Sequence, residues 1–128
     1  MDQMELEDRE VARLLGLARV VLGAAALAAP RSFTRMWTGE GEGSTTLPMA
    51  VRGLGARDVA IGAGILVALE NGGPVARWLE AGAVADAADA FATLTSWRQL
   101  PGLRRLGLFA LEAGAAWIAL GVASNLDD

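Results

Sequence analysis

The chain reads as an all-α protein: a four-helix transmembrane bundle with antiparallel neighbours, forming a single domain over residues 1–128. Three observations predict this. Hydrophobic residues make up 53% of the chain and charged residues 20%, an apolar balance for a domain of this size. Four runs of about 19 to 23 residues, at 11–29, 49–69, 75–97 and 103–124, each match the ~20 residues a helix needs to cross a bilayer. The second and third connections are short, which makes the helices they join antiparallel. The alternative is a compact soluble bundle, but its helices should each show a wide polar face, and these runs carry only isolated charges.

The start, MDQMELEDRE, is acidic where a secretory signal would be basic, although the small residues of AALAAP resemble a cleavage site. It reads as an uncleaved tail leading into the first helix. That helix, VARLLGLARVVLGAAALAA, is interrupted only by Arg13 and Arg19 and stops at Pro30, because proline cannot continue the backbone ladder. The stretch RSFTRMWTGEGEGSTTLP is polar and rich in Gly, Ser and Thr. It reads as the one long loop, with Phe33, Met36 and Trp37 in a short interfacial turn.

The second helix ends at Asn71-Gly72-Gly73, and Pro74 opens the third. Trp78 and Trp97 on the third helix are about 28 Å apart at 1.5 Å per residue, which places an indole at each face of a ~30 Å hydrocarbon layer. Pro101-Gly102 separates the fourth helix. Arg31, Arg35, Arg98, Arg104 and Arg105 flank the first and third connections with Arg52 close by, against Arg9, Arg13 and Arg77 on the other side. The positive-inside tendency then puts both termini outside the cytoplasm. The expected location is the cell membrane, inner or plasma, with multiple passes.

Histidine, cysteine, tyrosine and lysine are all absent. This removes imidazole and thiolate metal sites, disulfides, a Ser-His triad and a Schiff-base lysine together. No cofactor and no metal are expected: Asp86-x-x-Asp89 is an incomplete cation motif, and GLGARD lacks the preceding strand and the Lys-Ser/Thr of a nucleotide loop. The net charge of −4 argues against nucleic acid as a partner. The partners that remain are the lipid bilayer, a lipophilic small-molecule substrate and a second copy of the chain.

Chemistry is left to carboxylates, arginines and hydroxyls. Arg19, Asp58, Asp86 and Glu112 each fall within about two residues of the midpoint of a predicted helix, so all four share one layer of the bilayer. Asp89 lies one turn beyond Asp86 and Thr93 one turn further, forming a stripe. Arg57 is next to Asp58 but about 100° around the helix, and its long side chain can bend toward the bundle axis. Two arginines against four carboxylates leave an excess of acid in a low-dielectric interior. Either a carboxylic acid there is protonated, or a cation binds, or the layer is wet.

A protonated carboxylic acid beside an ionised one is the minimum equipment for general acid–base catalysis without histidine. The catalytic candidates are therefore Asp58, Asp86, Asp89 and Glu112, with Asp86 or Asp58 as proton donor; Arg19, Arg57 and Thr93 are the substrate-binding candidates. The reaction class expected is isomerisation, cyclisation or epoxide opening of a lipophilic substrate. The same layer would also serve a module that binds or carries protons or a small solute, or an accessory subunit whose ion pairs only fix helix register. No spacing distinguishes these classes.

Two helices also share a pattern. Residues 13–24 align with 52–63, setting Arg19 against Asp58, Gly16 against Gly55 and Gly23 against Gly62. Each charge has a glycine three residues before and four after it on the same face, where a second backbone can approach closely. The match fits either a weak internal duplication or the chance resemblance of two Gly/Ala-rich helices. The runs GLGARDVAIG and RWLEAGAVADAADA resemble a family of small four-helix integral membrane proteins, widespread in actinobacteria and catalogued as a domain of unknown function. The resemblance covers 13–123 and rests on Gly55-Ala56-Arg57-Asp58, Gly62 and Asp86-x-x-Asp89. More loosely the chain is similar to DoxX-like small membrane proteins. The resemblance implies a membrane bundle and no settled activity.

Overall fold

The computed structural model describes residues 1–38 and 46–126, and these fold into five helices with no strand among them. They are α1 (Gln3–Ala28), α2 (Pro30–Thr38), α3 (Thr46–Asn71), α4 (Val75–Thr95) and α5 (Gly102–Asn125). The acidic start leads directly into α1 and forms its solvated beginning, as its charge run suggests. Asp2 caps α1, its Oδ1 accepting from the Glu5 N–H at 2.8 Å, so MELEDRE forms solvated first turns. Pro30 ends α1 as expected, and it also begins α2, because the first helical position needs no N–H and favours the fixed proline φ. Residues 31–38 and 46–48 of the predicted long loop are therefore helix. Its remainder, 39–45, lies outside the described residues.

Among the five elements only α2 is strongly amphipathic. The Thr34 hydroxyl donates to the Pro30 carbonyl at 2.8 Å and is buried. The helix packs on α3, α1 and α5. The turn after α3 uses Gly72 at φ +65, a conformation that glycine adopts without a Cβ penalty.

α4 ends at Thr95, two residues before the end the sequence predicts. Ser96 closes the helix by donating its N–H to the Ala92 and Leu94 carbonyls, so Trp97 sits in the following turn and not on the helix. Its ring meets Phe109 edge-on at 6.4 Å and lies 5.1 Å beneath the Arg105 guanidinium. Trp78 instead covers Gly64 on α3. The expected pair of indoles on one helix axis is thus not formed.

The most extensive contact is α1 on α3, followed by α4 on α5, with smaller seams between α3 and α4 and between α1 and α5. Along α1 and α3, Gly16 faces Gly62 and Gly23 faces Gly55. Since rising numbers on α1 meet falling numbers on α3, the two helices run in opposite senses. The repeat noted in the sequence thus packs against itself about a local two-fold centred on Arg19 and Asp58.

The apolar core lies toward the end where α1 begins. It contains Ala12, Ile61, Ile65, Leu69, Val75, Leu79 and Val122, with a smaller group of Ala83, Ala116 and Ala119 joined to it through Leu15. The outward faces are equally apolar: Trp117 is 80% exposed and Phe91 67%, and Leu14, Val21, Val67, Val84 and Ile118 are exposed as well. Among the described residues, α1 and α5 are long and apolar enough to cross a membrane, and less than a third of either apolar stretch is buried within the protein.

Candidate functional site

Midway along the helices the glycine pairs bring α1 and α3 close enough for Arg19 to reach past α3 to α4. Its Nη1 donates to Asp58 Oδ1 at 3.2 Å, and its Nη2 donates to Asp86 Oδ2 and, at 3.0 Å, to the Gly82 carbonyl. Gly82 was not singled out in the sequence. It stands one turn before Asp86, and a Cβ there would lie 2.9 Å from Arg19 Nη2, so its lack of a side chain makes room for the guanidinium. Its place four residues from a helical aspartate, on the same face, was the available signal.

Arg57 bends as its length allows. It clasps Asp89 with both ends of its fork, Nη1 to Oδ1 at 3.0 Å and Nη2 to Oδ2 at 2.7 Å. Its Nε and Nη2 also approach Asp58 Oδ1 at 3.3 and 3.2 Å. Asp58 therefore sits between two arginines, and the charges alternate in one chain: Asp86, Arg19, Asp58, Arg57, Asp89. A two-point clasp of this kind is stronger and more directional than a contact from a lysine ammonium.

The chain of charges is graded in exposure. The Arg19 and Asp86 side chains are 12% exposed, whereas Arg57 and Asp89 are 29% and Asp58 26%. One end of the network is enclosed and the other opens sideways. Glu112 on α5 stands apart: its Oε2 accepts from the Thr93 hydroxyl at 2.8 Å, and none of its ion pairs with arginine is found among the described residues.

All seven residues predicted for the site thus fall in one neighbourhood, in two bonded groups. Arg19, Arg57, Asp58, Asp86 and Asp89 form the first; Thr93 and Glu112 form the second. Asp86 and Asp89, one turn apart, are each taken by a different arginine. Among the described residues no group of three or more metal-ligating side chains could hold a metal ion.

The site defines a helical protein with a partly buried network of alternating charges. Comparison with known proteins adds no identity: no family model, no curated protein and no solved structure matches the chain. Its function is read from its own geometry.

Proposed function

We propose that the chain is a multi-pass cell-membrane protein, a four-helix transmembrane bundle of α1, α3, α4 and α5 with antiparallel neighbours, and that its central charges form an acid–base site for a lipophilic substrate. The membrane reading is supported by the many large apolar side chains that face outward around the apolar core, and by five charged groups held between the helices. Arg19 on α1, Arg57 and Asp58 on α3, and Asp86 and Asp89 on α4 answer one another within the protein, as a bilayer interior requires. Alkaline carbonate washing of membranes should leave the protein in the pellet. Release into the supernatant would overturn the membrane reading.

The single observation that carries the catalytic reading is Glu112, the one carboxylate of the cluster with no arginine bonded to it. The Thr93 hydroxyl occupies Oε2, which leaves Oε1 free to carry a proton to the substrate. Glu112 therefore takes the donor role that the sequence assigned to Asp86 or Asp58, because both aspartates are bonded to Arg19. In this reading Glu112 delivers its proton to an oxygen or double bond of the substrate. Asp58 or Asp89, at the open end of the network, accepts one in return while Arg57 holds the charge. Isomerisation, cyclisation and epoxide opening all need this pair of transfers. Conversion of a panel of lipophilic epoxides and polyenes by purified protein is the test: Glu112→Gln should fold normally and lose about 10²–10⁴-fold in rate. Equal conversion by both proteins would sink the catalytic assignment.

A second reading is favoured by a different observation, that every aspartate of the cluster is bonded to an arginine. Such a network fixes the register of three helices without chemistry. In that case Glu112→Gln changes nothing and only the paired residues matter, to stability and partner recovery.

A further inference from the structure

The two ends of the molecule differ sharply in charge. Where α1 stops, α2 lies, α3 begins, α4 ends and α5 begins stand Arg31, Arg35, Arg52, Arg98, Arg104 and Arg105, with no Asp or Glu among the described residues of that end. Glu40 and Glu42 of the intervening stretch lie outside the described residues. The opposite end carries Asp2, Glu5, Glu7, Asp8, Glu10, Glu70 and Glu80 against Arg9, Arg13 and Arg77. Several basic-end guanidiniums are turned to backbone and rings and not to acids. Arg104 donates to the Arg35 carbonyl at 3.3 Å, Arg105 to the Trp97 carbonyl at 3.3 Å, and Arg52 Nε to the Leu27 carbonyl at 3.4 Å. Among the described residues no carboxylate pairs with any of these guanidiniums.

An open cleft of about 480 Å³ is set into this end, between the α1–α2 turn and the first turns of α3. Its lining is mixed: Arg31, Ser32 and Arg52 are polar, while Pro30, Pro48 and Met49 are apolar. Arg31 and Arg52 are exposed, as are Met36, Met49, Leu54 and Leu103 around the same end. A cleft that sets Arg31 and Arg52 beside Pro30, Pro48 and the exposed Met49, on a chain of net charge −4, matches a ligand with an anionic head and an apolar remainder.

We propose that this cleft binds the phosphate of an anionic phospholipid headgroup, held between Arg31 and Arg52 with the Ser32 hydroxyl as a further donor and Met49 and Pro48 against the acyl side. The site requires that the chain lie in a bilayer, as proposed above. Two guanidiniums facing one phosphodiester recognise it by charge and by directional N–H donors, and juxtamembrane arginines near an anionic leaflet each contribute measurably to lipid attraction. Choice of lipid, rather than membrane insertion itself, is what these two residues set.

The test uses the full chain in nanodiscs containing equal amounts of phosphatidylglycerol and phosphatidylcholine, reading which lipid is retained on extraction into detergent. Wild type should retain phosphatidylglycerol preferentially. The variant R31Q/R52Q should lose that preference by about fivefold per arginine removed, R31K/R52K should keep most of it, and Arg13→Gln at the opposite end should leave it unchanged. Inorganic phosphate should not displace the lipid; displacement by it would identify a site for free phosphate and overturn the proposal. Equal retention of both lipids by wild type, or an unchanged preference in R31Q/R52Q, would overturn it as well. Carbonate washing of the same variants separates the two readings: protein that stays in the membrane but shows no lipid preference disproves this site alone, whereas release into the wash disproves the membrane reading beneath it.

Discussion

Arg19→Ala should be the most damaging single charge change in the chain, costing about 3–5 kcal/mol, the usual loss when one partner of a buried ion pair is removed. Arg19 serves three acceptors on two helices: Asp58 on α3, and Asp86 and the Gly82 carbonyl on α4. Its removal strands Asp86, which is as enclosed as Arg19 itself, while Asp58 keeps Arg57. Arg19→Lys should recover only part of the loss, because a compact ammonium cannot span acceptors on two helices at once. Asp86→Asn alone should cost less than Arg19→Ala, since it leaves Arg19 bonded to Asp58 and Gly82. Unfolding titrations in detergent, followed by circular dichroism, check the order. If Arg19→Ala proves as stable as wild type, the network is not what joins α1 to α4.

Gly23→Val should separate α1 from α3. A Cβ at residue 23 would fall 2.5 Å from the Gly55 carbonyl oxygen and 2.9 Å from the Val59 backbone nitrogen, and backbone atoms cannot move aside as a flexible side chain can. The helices must part, at a cost of about 3 kcal/mol or more, the upper range for overpacking. Parting them would also lengthen the Arg19–Asp58 contact midway between the glycine pairs. Gly121→Ala on α5 is the control. A Cβ there meets nothing within 4 Å, so this change should be neutral or stabilise the helix by up to about 1 kcal/mol. The same unfolding titrations read both variants, and a Gly23→Val protein as stable as wild type would show that the α1–α3 seam is not close-packed.

Much of the helical layout was legible from punctuation. Pro30, Asn71-Gly72-Gly73 and Pro101-Gly102 each mark a boundary that the structure keeps, because proline withholds an N–H and glycine tolerates positive φ. The same proline misled at α2. A residue that ends one helix is also favoured as the first of another, and the polar RSFTRMWT between glycines and proline has no periodicity long enough to separate loop from a two-turn helix. Trp97 was misplaced for a related reason. The end of α4 is set by Ser96 bonding back to Ala92 and Leu94, a local choice that composition does not encode.

The site was legible as a layer but not as a network. Glycines at fixed offsets from Arg19 and Asp58 announced a close helix pair, since two backbones approach only where side chains are absent. That Gly16 meets Gly62 and Gly23 meets Gly55, turning a sequence repeat into an opposed pair, depends on the direction of packing.

By itself the sequence determined that this protein is helical, that its charges are few and concentrated at the centre and ends of apolar runs, and that its chemistry is confined to carboxylates, guanidiniums and hydroxyls. Only the tertiary structure decided which carboxylate each arginine holds. An arginine side chain spans several ångströms and serves acceptors on more than one helix, so its partners follow from helix separation and rotation, to which the order of residues along one helix is blind. That is why Glu112, one of four equivalent acids in the sequence, became the one left without an arginine.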